Sequence, residues 1–393
     1  MNKPWPVPTD ALLPCQRALF DIPREVCFLN AASWSPLPLA SQEAGRVGVA
    51  RKGQPWKLGP EFAPAQHQRA RVAAARLINA DPDDVALISS VSYGVATAAK
   101  LITVAAGARV LVLEDDHSSP ALEWMTRAPQ QGFTVEVVRR PEDGDWTAAV
   151  LAAIDRPGGP LLALVSISSV HWSDGGLVDV AAVAAAARRH GGAFLIDATH
   201  SAGVLALDVR AIDPDFLVFP TYKWVLGPYG RAFLYVAKRR QEGVPLEQTS
   251  YGRGSVVAER APYLADTTYV AGARRFDMGE RDHFISLEMA AIGMELVAQW
   301  GSAAVVARLR MLTDRLAAGL ADCPVHIAPP RVRAPHILSL SFARRMPEGL
   351  TERLTVENVY VAPRLGRVRI SPHVYNDEAD VDRFVATFRK LVA

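Results

Sequence analysis

The chain has little cysteine, almost no net charge and no long apolar run, and each shortage excludes a class of protein. Its 393 residues include three cysteines, Cys15, Cys27 and Cys323, which are spaced neither as metal ligands nor as a disulfide framework. The 43 basic and 41 acidic residues nearly cancel, which argues against nucleic-acid binding through a basic face. The longest apolar run, 161–170, is already broken by Ser166 and Ser168 and is too short to cross a membrane.

The N-terminal stretch MNKPWPVPTDALLP is rich in proline and has no apolar core, so it does not resemble a signal peptide. The length suits one large domain and a smaller one. With half of its residues hydrophobic and a fifth charged, the composition is that of an ordinary globular protein. A cytoplasmic enzyme, with neither nucleic acid nor membrane as a partner, is the simplest interpretation.

Short apolar runs alternate with alanine-rich helical stretches through the middle of the chain. The runs that predict buried strands are 109–114, 160–167, 193–197, 215–220 and 231–236. The stretches that predict helices are 120–131, 147–154 and 178–190. This order indicates an α/β fold, a mostly parallel sheet with helices on both faces. In such sheets, ligands bind at the carboxyl ends of the strands.

The texture changes near residue 284 to long helical patterns, then short strands and a final helix. Asn376 or Asp377 can cap that helix, and apolar residues recur along it at the helical period. We therefore predict a short N-terminal segment over 1–35, a large domain over 36–283 and a small C-terminal α+β domain over 284–393.

A carboxylate follows one of the predicted strands. In GGAFLIDATHSAG, the apolar strand delivers Asp197 to its carboxyl end. A carboxylate there could keep the pyridine nitrogen of pyridoxal 5′-phosphate (PLP) protonated, which makes the ring an electron sink. Taken alone, Asp197 could equally cap a turn or a helix.

A lysine follows another strand, 26 residues after Asp197. In DFLVFPTYKWVLGPYG, Lys223 lies between Tyr222 and Trp224 with no other charge after the initial aspartate. Most lysines lie on the surface. A lysine desolvated among aromatic residues has a lowered pKa, as Schiff-base chemistry requires. Together the two residues predict an enzyme that holds PLP on Lys223.

Five segments resemble a known family, the class V aminotransferase family of fold-type I PLP enzymes. They are FLNAASWSPLP, DATHSAG, PTYKWVLGPYG, RRFDMGERDHF and RVRISPHVYN. The resemblance runs in order from about residue 28 to 392. The group includes cysteine desulfurases, kynureninases and isopenicillin N epimerase-like proteins. The Tyr-Lys pair is similar to that of kynureninases, whereas desulfurases have a His-Lys pair. The resemblance implies a fold-type I enzyme that uses PLP.

The resemblance also implies roles around the cofactor ring. Lys223 matches the Schiff-base lysine, and Asp197 matches the partner of the pyridine nitrogen. His200 falls where the family has a Gln or His that hydrogen-bonds the phenolic oxygen. His117, in LEDDHSSPALEW, matches the ring that stacks on the pyridine face. Without the resemblance, His117 is a loop histidine near a strand end. Catalytic roles are thus expected for Lys223, Asp197 and His117.

The cofactor phosphate needs several hydrogen-bond donors. ALISSVSYGVATAAKLI predicts a strand and then a helix that begins near Ser92, so free N–H groups at Val91 and Ser92 and a hydroxyl would face an anion. Ser92 could also be a plain helix cap. The resemblance adds Tyr222 and a Gly-Thr pair from the neighbouring subunit, here Gly279-Glu280 without the threonine hydroxyl. It therefore implies a homodimer with shared active sites.

An arginine provides the expected substrate anchor. Arg369, in RVRISPHVYN, matches the family arginine that binds the α-carboxylate, for which a guanidinium is the natural bidentate partner. Arg364 and Arg367 are the neighbouring alternatives, although alternating arginines on a strand usually face solvent. Asn30 and Ala31 match the loop that lines the substrate site, so the segment 1–35 is expected to contribute there.

Three further polar or aromatic residues follow the predicted strand at 160–167. Ser169, His171 and Trp172 are expected to face the cofactor or the substrate because of that position. We include His171 among the candidate substrate-binding residues. Nothing in the sequence assigns a more specific role to any of them.

The residues predict the electron sink but not which bond breaks, because orientation of the substrate decides that. We expect an aminotransferase acting on a small amino acid, with a lyase (Cβ–S or Cβ–Cγ cleavage) or an epimerase as alternatives. A persulfide-forming desulfurase is disfavoured because VENVYVAPRLGRVRIS, before the arginine, contains no cysteine. A PLP-binding protein without catalysis is disfavoured because Lys223, Asp197 and Arg369 are all present.

Overall fold

The computed structural model describes residues 12–254, 256 and 261–392, and these form sheets of seven, four and two strands with helices packed around them. The strands are β1 Cys27–Phe28, β2 Val85–Ile88, β3 Arg109–Leu113, β4 Thr134–Val138, β5 Leu162–Ser168, β6 Ala193–Asp197, β7 Phe216–Pro220, β8 Ala232–Val236, β9 Val325–His326, β10 Leu338–Phe342, β11 Val359–Tyr360, β12 Ala362–Arg364 and β13 Arg367–Ile370. The α-helices are α1 Leu39–Lys52, α2 Phe62–Leu77, α3 Val91–Leu101, α4 Ser118–Gln131, α5 Trp146–Ile154, α6 Val180–Arg189, α7 Val209–Ile212, α8 Ser286–Trp300, α9 Ser302–Gly319, α10 Leu350–Val356 and α11 Glu378–Val392.

The larger sheet has seven strands in the order β2-β8-β7-β6-β5-β3-β4. Only β8 runs against the others, since it pairs antiparallel with both β2 and β7. Strand β2 therefore points the same way as β7, and six carboxyl ends meet at one edge. Strands β6, β7 and β8 are buried along their whole length, which is why their sequences are nearly continuous apolar runs.

The predicted α/β fold is confirmed, and the elements lie close to where the sequence placed them. All five predicted strands are present, with bounds that differ from the predicted runs by two residues or fewer. The three predicted central helices are α4, α5 and α6, and the predicted final helix is α11. Helix α3 begins at Val91, one residue before the predicted start.

The second sheet is antiparallel and has the order β12-β13-β10-β9. Helices α9, α10 and α11 pack on it around a core of their own that includes Leu312, Leu340 and Phe384. Strand β1 and Asn30 join this unit, because β1 pairs in parallel with β11 and Asn30 bridges to Ser371. These residues are thereby held beside β13.

Helix α8 lies after the predicted domain boundary at 284 but packs against α1 and α2. Its residues Leu287, Ala290 and Met294 belong to the same hydrophobic cluster as β6 and β7. The division into 1–35, 36–283 and 284–393 stays a prediction. Because α8 packs in this way, we propose that the small domain starts near Gly301.

Among the described residues, no helix taken singly has both the length and the apolar character needed to cross a membrane. One pair, α8 with α9, passes a test of length and composition when its two members are taken together, but it is bent by 82°.

Candidate active site

Lys223 lies in a closed loop after β7, at the edge where the carboxyl ends meet. The loop is held by hydrogen bonds from the Thr221 amide to the Arg231 carbonyl (3.0 Å) and from the Gly227 amide to the Thr221 carbonyl (2.8 Å). Lys223 is 6% exposed. Burial, followed by the charge of Arg369, lowers the pKa of Lys223 to about 7, against an opposing effect of Asp197. Near neutral pH much of this amine is therefore uncharged and nucleophilic.

The hydrogen bonds of His200 determine which of its ring nitrogens carries the proton. The indole Nε1 of Trp224 donates to His200 Nδ1 at 3.1 Å. An indole N–H can only donate, so Nδ1 is the acceptor and a neutral His200 carries its proton on Nε2. That Nε2 lies 3.3 Å from Lys223 Nζ. With the proton on Nε2, this contact is a hydrogen bond only if His200 donates to an uncharged Lys223 Nζ. The lowered pKa of Lys223 agrees with an uncharged amine.

Two further buried histidines contact the backbone of His200 and Trp224 and help to hold the two residues in place. His336 Nε2 lies 2.6 Å from the His200 carbonyl oxygen, and His373 Nε2 lies 3.1 Å from the Trp224 carbonyl oxygen. Burial lowers the pKa of His336 to about 3 and that of His373 to about 4. Both rings are therefore neutral above pH 5 and brace Trp224, whose ring packs against them.

Asp197 ends β6 with one carboxylate oxygen engaged and the other free of protein donors. Oδ1 accepts from the Thr199 amide at 2.9 Å and from the Thr199 hydroxyl. Within the described part of the chain, no hydrogen bond is made to Oδ2. The DATHSAG turn lies tight against the lysine loop, since a Cβ on Gly203 would come within 2.8 Å of the Trp224 carbonyl oxygen. Gly203 has a φ of +90°, which favours glycine.

His117 is half-buried directly before α4, where a carboxylate holds the start of the helix in place. Asp116 accepts from the His117 amide (2.7 Å), the Ser168 amide (2.9 Å) and the Ser168 hydroxyl (2.6 Å). It therefore joins the ends of β3 and β5. The His117 ring meets the Trp172 ring edge-on, with centroids 6.2 Å apart. Burial lowers the pKa of His117, with Asp197 acting in the opposite direction.

His171 lies deeper than the sequence suggested. Its ring stacks on Trp146 with centroids 5.0 Å apart, and its Nε2 lies 3.0 Å from the Glu114 carbonyl oxygen. Its Nδ1 is 3.1 Å from the Ser173 hydroxyl, and the residue has no exposed surface. Both ring nitrogens thus have protein partners. Its predicted contact with substrate stays a prediction, and the geometry favours a role in holding the loop that carries Trp172.

Ser169 is also engaged within the protein. Its hydroxyl lies 2.6 Å from the Ser201 hydroxyl and 3.2 Å from the Asp197 carbonyl oxygen. These contacts tie the loop after β5 to the loop that follows Asp197. Ser169 therefore supports the position of the carboxylate from its backbone side.

The predicted phosphate site is the N-terminus of α3. Ser90 caps the helix and accepts from the Tyr93 amide at 3.1 Å. Its hydroxyl is also 3.1 Å from the Ser92 hydroxyl, so two hydroxyl groups lie beside the free amide of Val91. Tyr222, next to the lysine, stacks on Tyr229 with centroids 3.8 Å apart. Donors of this kind at a helix N-terminus suit an anion.

Gly279 and Glu280, which the resemblance assigned to the neighbouring subunit's phosphate, lie near the chain's own Glu247. The Gly279 amide donates to the Glu247 carboxylate at 2.5 Å. Glu280 adopts a left-handed φ of +52°. The Gly279 amide therefore already has a partner within its own chain, and its role towards a neighbouring subunit stays a prediction.

Arg369 is almost fully buried on β13 and points towards the loop after β5. Its Nη1 donates to the Trp172 carbonyl oxygen at 2.6 Å, and its Nη2 donates to the Ser33 hydroxyl at 2.9 Å. Its Nε is buried and has no hydrogen-bond partner within the described ranges. Burial, and then the charge of Arg364, lowers the pKa of Arg369 to about 9. An arginine that is buried without a carboxylate partner suggests a binding site for an anion.

The N-terminal loop reaches the same place. The Ser33 hydroxyl donates to Asn30 Oδ1 at 2.7 Å, and the Ala31 amide donates to the Ser371 carbonyl at 3.0 Å. Arg364 also donates to Ser33, at 2.8 Å. Asn30 and Ala31 therefore lie beside Ser33 and Ser371, the Ala31 amide is occupied by the protein, and their contact with substrate stays a prediction.

Arg367 has a different setting, since its Nη1 lies 3.9 Å from Asp174 Oδ2. The same carboxylate is bound by Arg140. Arg367 is therefore paired with an acidic residue of the protein. Arg364 and Arg369 both donate to the Ser33 hydroxyl, and among the described residues their other hydrogen-bond acceptors are backbone carbonyl oxygens.

These features fit PLP. They are a buried amine with a lowered pKa, a carboxylate with a free oxygen, a ring histidine, a helix N-terminus and an arginine with an orphaned nitrogen. Each corresponds to one part of the cofactor or of an amino acid bound to it. Clusters of three or more His, Cys, Asp or Glu side chains suited to a metal do not occur in the described ranges.

Several contributors were not predicted from the sequence. Ser33, His336 and His373 act through contacts with residues more than 100 positions away, which no local pattern reveals. Asp116 is different, because the consecutive acids of LEDDH at a strand end were a readable signal.

Comparison with known proteins gives a consistent result. The model of the family described as aminotransferase class-V matches residues 59–384. Isopenicillin N epimerase of Streptomyces clavuligerus is 30% identical over 372 residues, covering 90% of this chain and 92% of the relative. The apo structure of a cysteine desulfurase from Thermococcus onnurineus NA1 superposes with a TM-score of 0.81 at 21% identity, covering 96% of this chain and 97% of the other. A mutant of the protein C-DES, with glycine covalently linked to its PLP cofactor, gives 0.83 at 19% identity, covering 95% and 98%.

Proposed function

The chain belongs to the class V aminotransferase family of PLP-dependent enzymes, and we propose that it is an aminotransferase acting on a small amino acid. The observation that carries the proposal is the buried Lys223 amine, whose pKa is lowered to about 7 beside the Nε2–H of His200. A group with such a pKa can both accept and return a proton near neutral pH.

We assign the cofactor contacts to the residues whose free groups match its parts. Lys223 would hold PLP covalently, the free Oδ2 of Asp197 would face the ring nitrogen, and His200 Nε2–H would face the phenolic oxygen. The His117 ring would cover one face. The phosphate would lie at Val91 and Ser92, at the N-terminus of α3. Tyr222 and the amides of Gly279 and Glu280 in a second subunit are further candidates.

PLP, when bound, withdraws electrons from the α-carbon of an amino acid and so weakens the bonds to that carbon. The protein decides which bond is affected. Lys223, once released from the cofactor, is the group that removes a proton from the α-carbon and delivers it elsewhere on the same face. A transfer along one face needs a single base, and Lys223 supplies it. Because transamination needs only this one base, the site favours transamination.

Arg369 would bind the α-carboxylate and so fix the orientation of the substrate. Its Nη1 and Nη2 are held by Trp172 and Ser33, and Nε lacks a partner in the described part of the chain. The planar guanidinium is therefore fixed in position before substrate arrives, which reduces the entropy lost on binding.

An epimerase is the second candidate, because a relative of that name is 30% identical over most of both chains. Epimerisation requires a proton to return on the opposite face of the α-carbon. His117 is the titratable residue that would cover that face. Its lowered pKa keeps it neutral near pH 7, so it could accept a proton but would be a poor initial donor.

Lyase chemistry has less support. For a persulfide to form on the enzyme itself, one of its cysteines must reach the substrate. Cys15 and Cys27 are engaged with the carbonyl oxygens of Tyr375 and Asp380, and Cys323 packs against the core of the small domain. Cleavage of a Cβ–S or Cβ–Cγ bond without a cysteine stays an alternative.

We also propose that the protein is a homodimer whose subunits share active sites, on the basis of the family. A cytoplasmic location stays a prediction.

The deciding experiment supplies one amino acid at a time to the PLP-loaded protein in D₂O. An aminotransferase releases keto acid in multiple turnovers only when an amino acceptor is present. An epimerase produces the other enantiomer, labelled with deuterium, without an acceptor. A Cβ–S lyase releases ammonia and sulfide or a thiol, and a Cβ–Cγ lyase releases alanine. Steady production of the other enantiomer without an acceptor would contradict our proposal.

A further inference from the structure

The substrate end of the site has two guanidinium groups where one would suffice for an α-carboxylate. Arg364 Nη2 and Arg369 Nη2 donate to the same Ser33 hydroxyl, at 2.8 Å and 2.9 Å. The two cations are therefore neighbours, although like charges repel. Arg364 also lies over the Trp172 ring, with its guanidinium carbon 5.9 Å from the centroid.

Neither arginine has an acidic partner in the part of the chain that the structure describes. Arg367, two residues from Arg369, does have one in Asp174. Burying a cation without a counter-ion is costly, so such cations are usually paired. Mutual repulsion and burial are visible in the lowered pKa of Arg369, for which Arg364 is the main charged cause. The arrangement suits a ligand that brings negative charge.

The charged groups around Lys223 indicate how much negative charge the ligand should bring. Those acting on Lys223 are Arg369 and Arg364, which are positive, and Asp197, which is negative. Asp197 is assigned to the ring nitrogen of the cofactor. One α-carboxylate would then neutralise only one of the two guanidiniums.

Resting on the proposed function, we propose that the substrate is an amino acid whose side chain ends in a second acidic group. Arg369 binds the α-carboxylate, and Arg364 binds the acid of the side chain. Arg369 is the deeper of the two, at 1% exposed, whereas Arg364 is half-buried and lies beside the flat face of Trp172. The deeper group is the better anchor for the part of the substrate that every amino acid shares.

The test uses ligands that cannot react. Binding of succinate and glutarate, which have two carboxylates, and of butyrate, which has one, is measured calorimetrically on the PLP-loaded protein. The same titrations are made with Arg364→Ala, with Arg364→Gln, which keeps much of the size without the charge, and with Arg367→Ala as the matched control. We expect a dicarboxylate to bind roughly tenfold more tightly than butyrate in the wild type.

Both Arg364 variants should lose this preference, and Arg367→Ala should keep it. Equal affinity for butyrate and dicarboxylates in the wild type would overturn the inference. So would an equal weakening of both ligand classes in the Arg364 variants, since that would mean that the two arginines grip one carboxylate.

Turnover assays separate this inference from the proposed function. Aspartate and glutamate should be better substrates than alanine, and Arg364→Gln should reduce kcat/KM for the acidic pair alone. Efficient transamination of alanine, with no dicarboxylate preference, would overturn this inference and leave the proposed function standing. A dicarboxylate preference that depends on Arg364, with no transamination of any amino acid, would support the subsite and contradict the proposed function.

Discussion

Replacing Trp224 by phenylalanine should weaken the preference of His200 for the tautomer that carries its proton on Nε2. The indole N–H donates to His200 Nδ1 at 3.1 Å and is the reason that the proton lies on Nε2. Phenylalanine keeps an aromatic ring but has no donor. A net hydrogen bond contributes about 0.5–1.5 kcal/mol, so the ratio of the Nε2–H to the Nδ1–H form should fall about 2- to 13-fold. Leaving the buried Nδ1 unsatisfied should also lower the free energy of unfolding by about 1–3 kcal/mol.

The assay is ¹⁵N NMR of histidine-labelled protein loaded with PLP, which distinguishes a protonated ring nitrogen from a bare one. His200→Gln assigns the signals. Trp124→Phe is the matched control, because Trp124 is equally buried but its Nε1 has no hydrogen-bond partner among the residues that the structure describes. It should leave the His200 signals unchanged. A wild-type His200 protonated on Nδ1, or a Trp224→Phe protein with an unchanged tautomer, would refute the reasoning.

The remaining predictions concern the ring carboxylate, the substrate anchor and acid stability. Asp197→Asn should reduce kcat far more than PLP occupancy, measured by absorbance; near-normal turnover would show that the ring lies elsewhere. Arg369→Ala should weaken amino-acid binding by about 2–5 kcal/mol and Arg369→Lys should recover little, as judged by substrate titration; wild-type affinity in either would contradict this. His373 has a folded pKa of about 4 against about 6.5 when unfolded, so protons bind the unfolded state first. Stability is then full above pH 6.5 and falls by about 3 kcal/mol towards pH 4; denaturant unfolding of His373→Gln should show a shallower fall, and an equally steep one would refute the assignment.

The central strands were predictable because burial leaves a local signature. Strands β6 and β7 are buried at every position and appear in the sequence as uninterrupted apolar runs ending in Asp197 and shortly before Lys223. Since parallel carboxyl ends share one edge, the proximity of these two residues followed from the sequence.

The rest depends on contacts that local patterns do not contain. Strands β1, β9 and β11 have only two residues each, too few to show a period. The tautomer of His200 depends on Trp224, which is braced by His336 and His373 from the other end of the chain.

The inward direction of Arg364 could not be predicted either. The alternation of arginines along β12 and β13 favoured a solvent-facing Arg364. In the structure the Arg364 guanidinium instead donates to Ser33 of the N-terminal loop and lies towards the site. His171 shows the opposite case, since a polar residue at a strand end is buried against Trp146.

The attachment of PLP to Lys223 is the central claim, and peptide mapping after borohydride reduction tests it most directly. The PLP-loaded protein is reduced and digested, and the modified lysine is identified by mass spectrometry. The label should be found on the peptide that contains Lys223 and be lost in Lys223→Ala, while Lys238→Ala, which removes an exposed lysine, should keep it. A label on any other lysine, or one that persists in Lys223→Ala, would contradict the claim.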